Sequence, residues 1–471
     1  MKVLFCASEA LPFAKTGGLA DVMGALPQSL VELGADVSLI MPYYKKIKEK
    51  NTASYLGYCY VTISGRSEYA GVFFEERQKV KYYFIDSDLY FNRDNLYGYG
   101  DDGERFAFFS FAVLEALKVI NLFPDIIHLN DWQTGLIPYI LKHNYYGDFR
   151  YENIKTVFSI HNIQYQGNFG ADFASRLNIP YSSTLEFYGD INFMKTAIME
   201  SNKILTVSET YKNEVLTPEY GYRLNEVLQY RLWDFGGILN GIDVNLFNPE
   251  TDKNITKNYN MRTRKSGKKA NKRALLSQFG LDTEDVPLFG LVSRLADQKG
   301  IDLFGPIMDQ IIGETNAKFI LMGSGDSNLE NYFRYLENKY PTRFKAYIGY
   351  NEHVAQQIYA GADIFLMPSK FEPCGLGQMI AMRYGTLPLV RETGGLKDTV
   401  KPYNRFEKTG NGFSFTNFNP NELRMVMMFA VDTYNNHRED FDMLIKNAMS
   451  ADFSWKSSAS KYLKIYQELC E

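Results

Sequence analysis

Cysteine is scarce in this chain: Cys6, Cys59, Cys374 and Cys470 are scattered with no Cys-x-x-Cys pair. That spacing excludes a disulfide framework and a zinc ribbon, and it fits a reducing, cytoplasmic setting. No run reaches the ~18 apolar residues a membrane span needs, and the first apolar stretch, Val3 to Ala7, is too short for a signal-peptide core. Basic excess is absent too. With a formal net charge of −4, the chain lacks the balance of a nucleic-acid binder. His128 and His161 have no His-x-x-x-His partner or carboxylate cluster beside them, so no metal site is indicated. The one local surplus of Lys and Arg, Lys253 to Arg273, reads as a solvated loop leading into a helix near Asn271.

What remains is an ordinary globular composition, 45% hydrophobic and 23% charged, over 471 residues. That length exceeds the size at which one core keeps growing, so two domains are expected. Short apolar or β-branched runs alternate with helical stretches, as parallel α/β units do. In the first half they are Val3–Cys6, Val37–Met41, Lys81–Ile85, Asp125–Leu129, Thr156–Ile160 and Ile204–Val207. In the second half they are Leu288–Val292, Lys318–Met322, Ala346–Gly349, Ile364–Met367 and Leu387–Val390. Two doubly wound sheets follow, divided near Asn240-Gly241-Ile242-Asp243, where glycines and Asn248-Pro249 interrupt regular structure. Trp455 to Cys470 places Ala459, Tyr462, Leu463, Tyr466 and Leu469 on one helical face, which must dock on a partner surface. Aromatic residues reach 15%, a level that core packing accounts for and that decides nothing alone.

Polar motifs follow the carboxyl ends of these strands, where open α/β sheets bind ligands, so an active site between the two domains is expected. Lys15-Thr16-Gly17-Gly18 ends the first strand segment and opens a helix. Its glycine amides, helix start and lysine charge suit an anion, although a plain glycine turn accounts for the segment taken alone. In the second half, Arg294 and Lys299 lie five residues apart on one loop, a fork and a point charge suited to a diphosphate. A solvated loop fits that pair equally well. Glu372 opens Glu372-Pro373-Cys374-Gly375-Leu376-Gly377, a second glycine turn before a helix near Met379, and its carboxylate can accept from sugar hydroxyls. Glu392-Thr393-Gly394-Gly395 makes a third. The spelling Gly98-Tyr99-Gly100-Asp101-Asp102-Gly103 matches a dinucleotide fingerprint, but it follows no strand and its acidic pair would repel pyrophosphate.

Taken in order, KTGGLADV, HLNDWQTGLIP, HNIQYQG, TVSETY, GILNGID, SRLADQKGIDL, GSGD, FEPCGLGQ and TGGLKDTV resemble the bacterial glycogen synthases and plant starch synthases, glycosyltransferase family 5. The resemblance runs from Lys2 to the C-terminal helix. It implies the GT-B fold: residues 1–241 an acceptor-side Rossmann-like domain, 242–454 a nucleotide-sugar-binding one, and 455–471 a helix crossing back onto the first. It implies retaining transfer of glucose from ADP-glucose, or UDP-glucose, to the 4-hydroxyl of glycogen or another α-1,4-glucan, with no metal and no cofactor.

On matching positions, Arg294 and Lys299 would neutralise the leaving diphosphate, and Lys15 with Gly17 and Gly18 would close on it. Glu372 and Asn240 would hold the glucose, with Asp131 and His161 beside it. Tyr350 would stack the base, and Cys374, Gly375, Leu376 and Gly377 would bind the donor. Two departures stand out: Gly377 replaces a Thr or Ser common among relatives, and Gly305-Pro306 interrupts the helix expected after Lys299. Other readings are another retaining GT-B transferase, a glucan phosphorylase with a pyridoxal phosphate lysine, and a catalytically silent glucan-binding protein.

Overall fold

The computed structural model describes residues 1–50, 52–177 and 179–471. The chain forms two compact units, Met1–Gly241 with Trp455–Glu471, and Ile242–Ser454.

The strands of the first unit are β1 Lys2–Cys6, β2 Asp36–Pro42, β3 Ser54–Ile63, β4 Arg66–Arg77, β5 Val80–Asp86, β6 Ile126–Asn130, β7 Lys155–Ile160, β8 Asn168–Gly170, β9 Glu186–Phe187, β10 Asp190–Asn192, β11 Lys203–Thr206 and β12 Phe235–Gly237. Nine of them form one sheet in the order β12-β11-β7-β6-β1-β2-β5-β4-β3, and β8, β10 and β9 form a small separate one. The large sheet is parallel except where β4 runs against β3 and β5. β1 and β6 are buried almost throughout, because helices cover both faces of a parallel core.

The second unit contains β13 Leu288–Leu295, β14 Lys318–Gly325, β15 Phe344–Ile348, β16 Ile364–Met367, β17 Leu387–Arg391 and β18 Phe413–Phe415. They form a parallel sheet in the order β15-β14-β13-β16-β17-β18. This is the doubly wound order 3-2-1-4-5-6, whose direction reverses between β13 and β16. In the first unit the equivalent reversal lies between β1 and β6. Every strand expected from the apolar runs is present. The β3–β4 hairpin, the small sheet, β12 and β18 were not anticipated, since a register shift between Tyr55 and Gly57 breaks the alternation of β3 and the others are only two or three residues long.

The lysine-rich stretch corrects an expectation. The helix there is Arg264–Gln278, not one beginning near Asn271, and three of its six cations, Arg264, Lys268 and Lys272, are buried. Lys268 Nζ donates to the carbonyls of Ala360, Ala362 and Tyr384 and to Thr386 Oγ1, and burial lowers its pKa to about 7. Lys272 Nζ sits 2.6 Å from Asp363. Positions 264, 268 and 272 recur every four residues, so one helical stripe carries charge inward, where carbonyls and carboxylates satisfy it. After Lys299 the chain makes a short turn at Ile301–Phe304, and the next helix starts at Met308, just past Gly305-Pro306. The acidic pair of the false dinucleotide motif is also engaged: Asp101 pairs with Arg93 at 2.6 Å and Asp102 with Arg105.

The helix Trp455–Cys470 buries Trp455, Ser458, Ala459, Tyr462 and Tyr466 within the first unit. Its anchor is polar: Tyr466 Oη lies 2.5 Å from His128 Nδ1, whose Nε2 lies 2.7 Å from Ser159 Oγ. Burial holds His128 neutral, with a pKa of about 3 against the usual 6.5. Below pH 6.5 the unfolded chain takes up a proton that the folded one refuses. The stability associated with this group is therefore complete above about pH 6.5 and is lost as the pH falls toward 3. Tyr466→Phe strands one imidazole nitrogen in the core. Urea unfolding at neutral pH should show a loss of about 1–3 kcal/mol, and an unchanged midpoint would mean that the helix docks by apolar contact alone.

Candidate active site

At the β13/β16 reversal the second unit has a cavity of about 210 Å³. Its walls include the end of β13, with Ser293 and Arg294, the end of β16 with Pro368 and Ser369, and Lys299, Tyr359, Glu372, Gly375, Leu376 and Gly377. Crossover helices diverge to opposite faces at such a point and leave the strand ends uncovered. The formal charges on the wall are those of Arg294, Lys299 and Glu372, two positive and one negative, leaving +1.

Lys299 Nζ is 2.6 Å from Glu372 Oε2, and Ser369 Oγ donates to the same oxygen at 3.2 Å. Both charged side chains are shielded from solvent, at 17% and 9% exposure, so the pair has far less screening than a surface ion pair. The loop carrying Lys299 is tied to the one carrying Glu372: Lys370 N donates to Gln298 O at 2.9 Å, and Gln298 Nε2 donates to Phe371 O at 3.2 Å.

The third glycine turn serves this geometry. Gly394 has φ +44°, and a Cβ there would stand 2.0 Å from Glu372 O; a Cβ on Gly395 would stand 2.1 Å from Cys374 O. These glycines let the start of the helix Gly394–Thr399 abut the Glu372–Cys374 backbone, where Gly395 N donates to Glu372 O at 3.2 Å. Cys374 is buried and is not among the cavity-wall residues. Gly377 begins the helix Gly377–Arg383. A Cβ at 377 would lie 3.0 Å from Phe365, so Gly377 and Phe365 are matched in volume. Tyr350 is 73% exposed and lies outside the cavity wall; Tyr359, buried on the helix Glu352–Gly361, is on it. Tyr359 was missed in the sequence because nothing local distinguishes it.

The first unit has its own cluster at the β1/β6 reversal. Asp131 follows β6 with φ +56° and ψ 179°, a region almost reserved for glycine that costs of order 1–3 kcal/mol. Its backbone is held by Ser159 O and Thr134 N, and its Oδ1 accepts from His161 N at 2.8 Å. Burial raises the Asp131 carboxyl to about 7, opposed by the His161 and Asn162 amides and assisted by the charge of Glu9. Burial also lowers His161 to about 4, and its Nε2 lies 2.9 Å from Asn130 Oδ1. Strain together with shifted carboxyl and imidazole groups at strand ends makes this cluster a candidate site.

Glu9 is the residue the sequence reading overlooked. Its Oε2 accepts from Thr16 N, from Thr16 Oγ1 at 2.9 Å and from Gly17 N at 3.4 Å. The expected anion cradle is thus filled by the chain's own carboxylate. Burial raises the Glu9 pKa, while the Thr16 and Gly17 donors pull it back. Lys15 pairs with Asp21 at 2.6 Å. Gly18, the first residue of the helix Gly18–Glu32, has open space where a Cβ would stand. Asn240, in the same unit, is buried with an Oδ1 that has no hydrogen-bond partner among the described residues.

Two parallel doubly wound units, one with a cationic cavity at its reversal point, define a GT-B glycosyltransferase. Residues 2–230 match the family model of the starch synthase catalytic domain and residues 274–448 that of glycosyl transferases group 1. Glycogen synthases of Clostridium perfringens and Acholeplasma laidlawii are 50% and 49% identical over 100% of this chain, covering 98% and 99% of their own lengths. The catalytic domain of starch synthase IV from Arabidopsis thaliana, solved bound to ADP and acarbose, superposes with a TM-score of 0.89 at 32% identity over 99% of each chain. The chain belongs to the family of bacterial glycogen synthases and starch synthases.

Two outcomes test the site. Because Asp131 rises from 3.8 to about 7 on folding, its contribution is fully present below pH 3.8 and is lost as the pH climbs through 7. The stability difference between Asp131→Asn and wild type should therefore move in the variant's favour between about pH 5 and pH 8; a flat difference would show that the carboxyl titrates normally. Gly394→Ala should displace the Glu372 turn and weaken nucleotide binding about tenfold or more, read by calorimetry, whereas undiminished binding would show that the contact yields.

Proposed function

We propose that this protein transfers glucose from ADP-glucose to the non-reducing 4-hydroxyl of an α-1,4-glucan, with retention at the anomeric carbon. The observation that carries the reading is the cavity at the β13/β16 reversal, which gathers Arg294, Lys299, Glu372 and the Gly375–Gly377 backbone from separate loops. The ADP in the Arabidopsis starch synthase structure supports adenine as the base.

Arg294 and Lys299 bind the diphosphate and stabilise the charge that grows as the C1–O bond breaks. Glu372 accepts from glucose hydroxyls while holding Lys299 in place, and the Cys374–Gly377 segment presents backbone to the donor phosphates. The acceptor oxygen bonds to C1 on the face that the diphosphate leaves, and its proton passes to a leaving phosphate oxygen. No nucleophilic carboxylate pair is required, unlike a retaining glycosidase. Asp131, His161 and Asn240 are assigned to sugar hydroxyls. Lys15, Gly17 and Gly18 are assigned to the donor phosphates, for which Gly17 must release Glu9 and Lys15 must release Asp21. Tyr350 is assigned to the base.

Glucose incorporation into glycogen, measured in parallel from ADP-glucose and UDP-glucose, tests the reading, with the product anomer read by NMR. Incorporation mainly from UDP-glucose would overturn the donor assignment, and none from either would overturn the activity. Lys299→Ala should lower kcat by about 10²–10³ while raising donor KM far less. A change confined to KM would mean that Lys299 binds the ground state only.

A further inference from the structure

Three side-chain hydroxyls stand on the wall of the cavity at the β13/β16 reversal, those of Ser293, Tyr359 and Ser369. Two are committed: Ser293 Oγ donates to Arg294 O at 2.8 Å, and Ser369 Oγ to Glu372 Oε2 at 3.2 Å. Tyr359 differs. No group among the described residues hydrogen-bonds its hydroxyl, and the oxygen is not sealed from solvent. The whole residue is only 6% exposed, so the solvent its oxygen reaches is that of the cavity. A buried tyrosine ordinarily finds a hydrogen-bond partner, and here the partner must come from whatever fills the cavity.

Packing fixes where this hydroxyl is presented. The Tyr359 ring lies against Phe365, with centroids 4.9 Å apart and planes at 36°, and stacks on Tyr384 at 6.4 Å and 25°. Tyr384 is itself anchored, its Oη donating to Asp252 Oδ2 at 2.5 Å and its carbonyl accepting from Tyr259 Oη at 2.7 Å. Phe365 also meets position 377: a Cβ there would stand 3.0 Å and 3.4 Å from two of its ring atoms and 3.3 Å from Met367 Sδ. The same phenylalanine backs the Tyr359 ring and keeps a side chain off position 377. That part of the wall therefore offers a ligand the backbone of Gly377 and the hydroxyl of Tyr359.

Neighbouring charge identifies the acceptor. Arg294 and Lys299 share the wall and call for an anion, whereas Glu372 is assigned to glucose and Tyr350, assigned to the base, lies outside. Burial, and to a lesser degree the Tyr350 phenol, pushes the Tyr359 hydroxyl above the usual tyrosine range, so it keeps its proton. Phosphoryl oxygens accept such a proton and have none to offer in return.

We propose that the Tyr359 hydroxyl binds the sugar nucleotide by donating a hydrogen bond to an oxygen of its diphosphate. The proposal rests on the reading of this cavity as a sugar-nucleotide site. Tyr359→Phe removes the oxygen and keeps the ring, so the thermal midpoint of the ligand-free protein should be unchanged. Its Kd for ADP, read by calorimetry, and its KM for the sugar-nucleotide donor should each rise about tenfold, while the glycogen KM stays at the wild-type value. The rise in Kd should be equal for ADP, UDP and 2′-deoxy-ADP, which share the diphosphate and differ in base or ribose.

Wild-type ADP affinity in the folded variant would overturn the proposal and leave the transfer activity standing. A fall in the ligand-free midpoint would show that the protein itself satisfies the hydroxyl, and would overturn it too. A loss confined to ADP, or one missing with 2′-deoxy-ADP, would assign the hydroxyl to the nucleoside and overturn the diphosphate contact. A wild-type protein that binds neither ADP nor UDP would refute the reading on which the proposal rests.

Discussion

Each unit depends on one topological constraint: a parallel sheet whose winding reverses must leave strand ends uncovered at the reversal. Helices that run to opposite faces cannot close over the gap, so backbone carbonyls, amides and short polar side chains meet solvent there. In the second unit this point lies between β13 and β16, and Arg294, Lys299, Ser369 and Glu372 surround it. In the first it lies between β1 and β6, and Glu9 and Asp131 follow those two strands. The same geometry produces an anion-seeking cavity in one unit and a pair of desolvated carboxyls in the other.

What differs is how each unit compensates charge. Lys299 and Glu372 neutralise one another in a poorly solvated wall, leaving Arg294 as the excess charge that makes the cavity cationic. In the first unit the Thr16 and Gly17 amides, which looked ready for a phosphate, already serve Glu9. An amide cluster does not remain vacant where a buried carboxylate can reach it, because an unpaired carboxylate costs far more than the loop conformation. Glycines 394 and 395 show a different economy: lacking a Cβ, they allow two backbones to meet at a distance any side chain would forbid.

Much of this was legible in the chain. The alternation of apolar runs located the parallel strands, and the motif order pointed to the family to which the chain belongs. The loops bearing Arg294, Lys299 and Glu372 stood out because charge and glycine after a strand are locally unusual. Glu9 and Tyr359 did not, since a lone glutamate or a tyrosine at helical spacing resembles thousands of structural ones. The Arg264–Gln278 helix misled for the opposite reason: its lysines signal solvent until carbonyls at strand and helix ends are seen to receive them.

Local periodicity determined which segments became strands and helices, and residue type determined which loops carried charge, because both follow from a few neighbouring residues. Only the tertiary structure decided that Lys299 rests on Glu372, that Glu9 occupies the Thr16 and Gly17 amides, and that Asp131 is desolvated and strained. It also decided that Phe365 meets both the Tyr359 ring and position 377. Pairings across 73 positions, as for Lys299 and Glu372, are set by sheet order and register, and burial is a property of everything packed around a group. Neither quantity exists until the chain has folded.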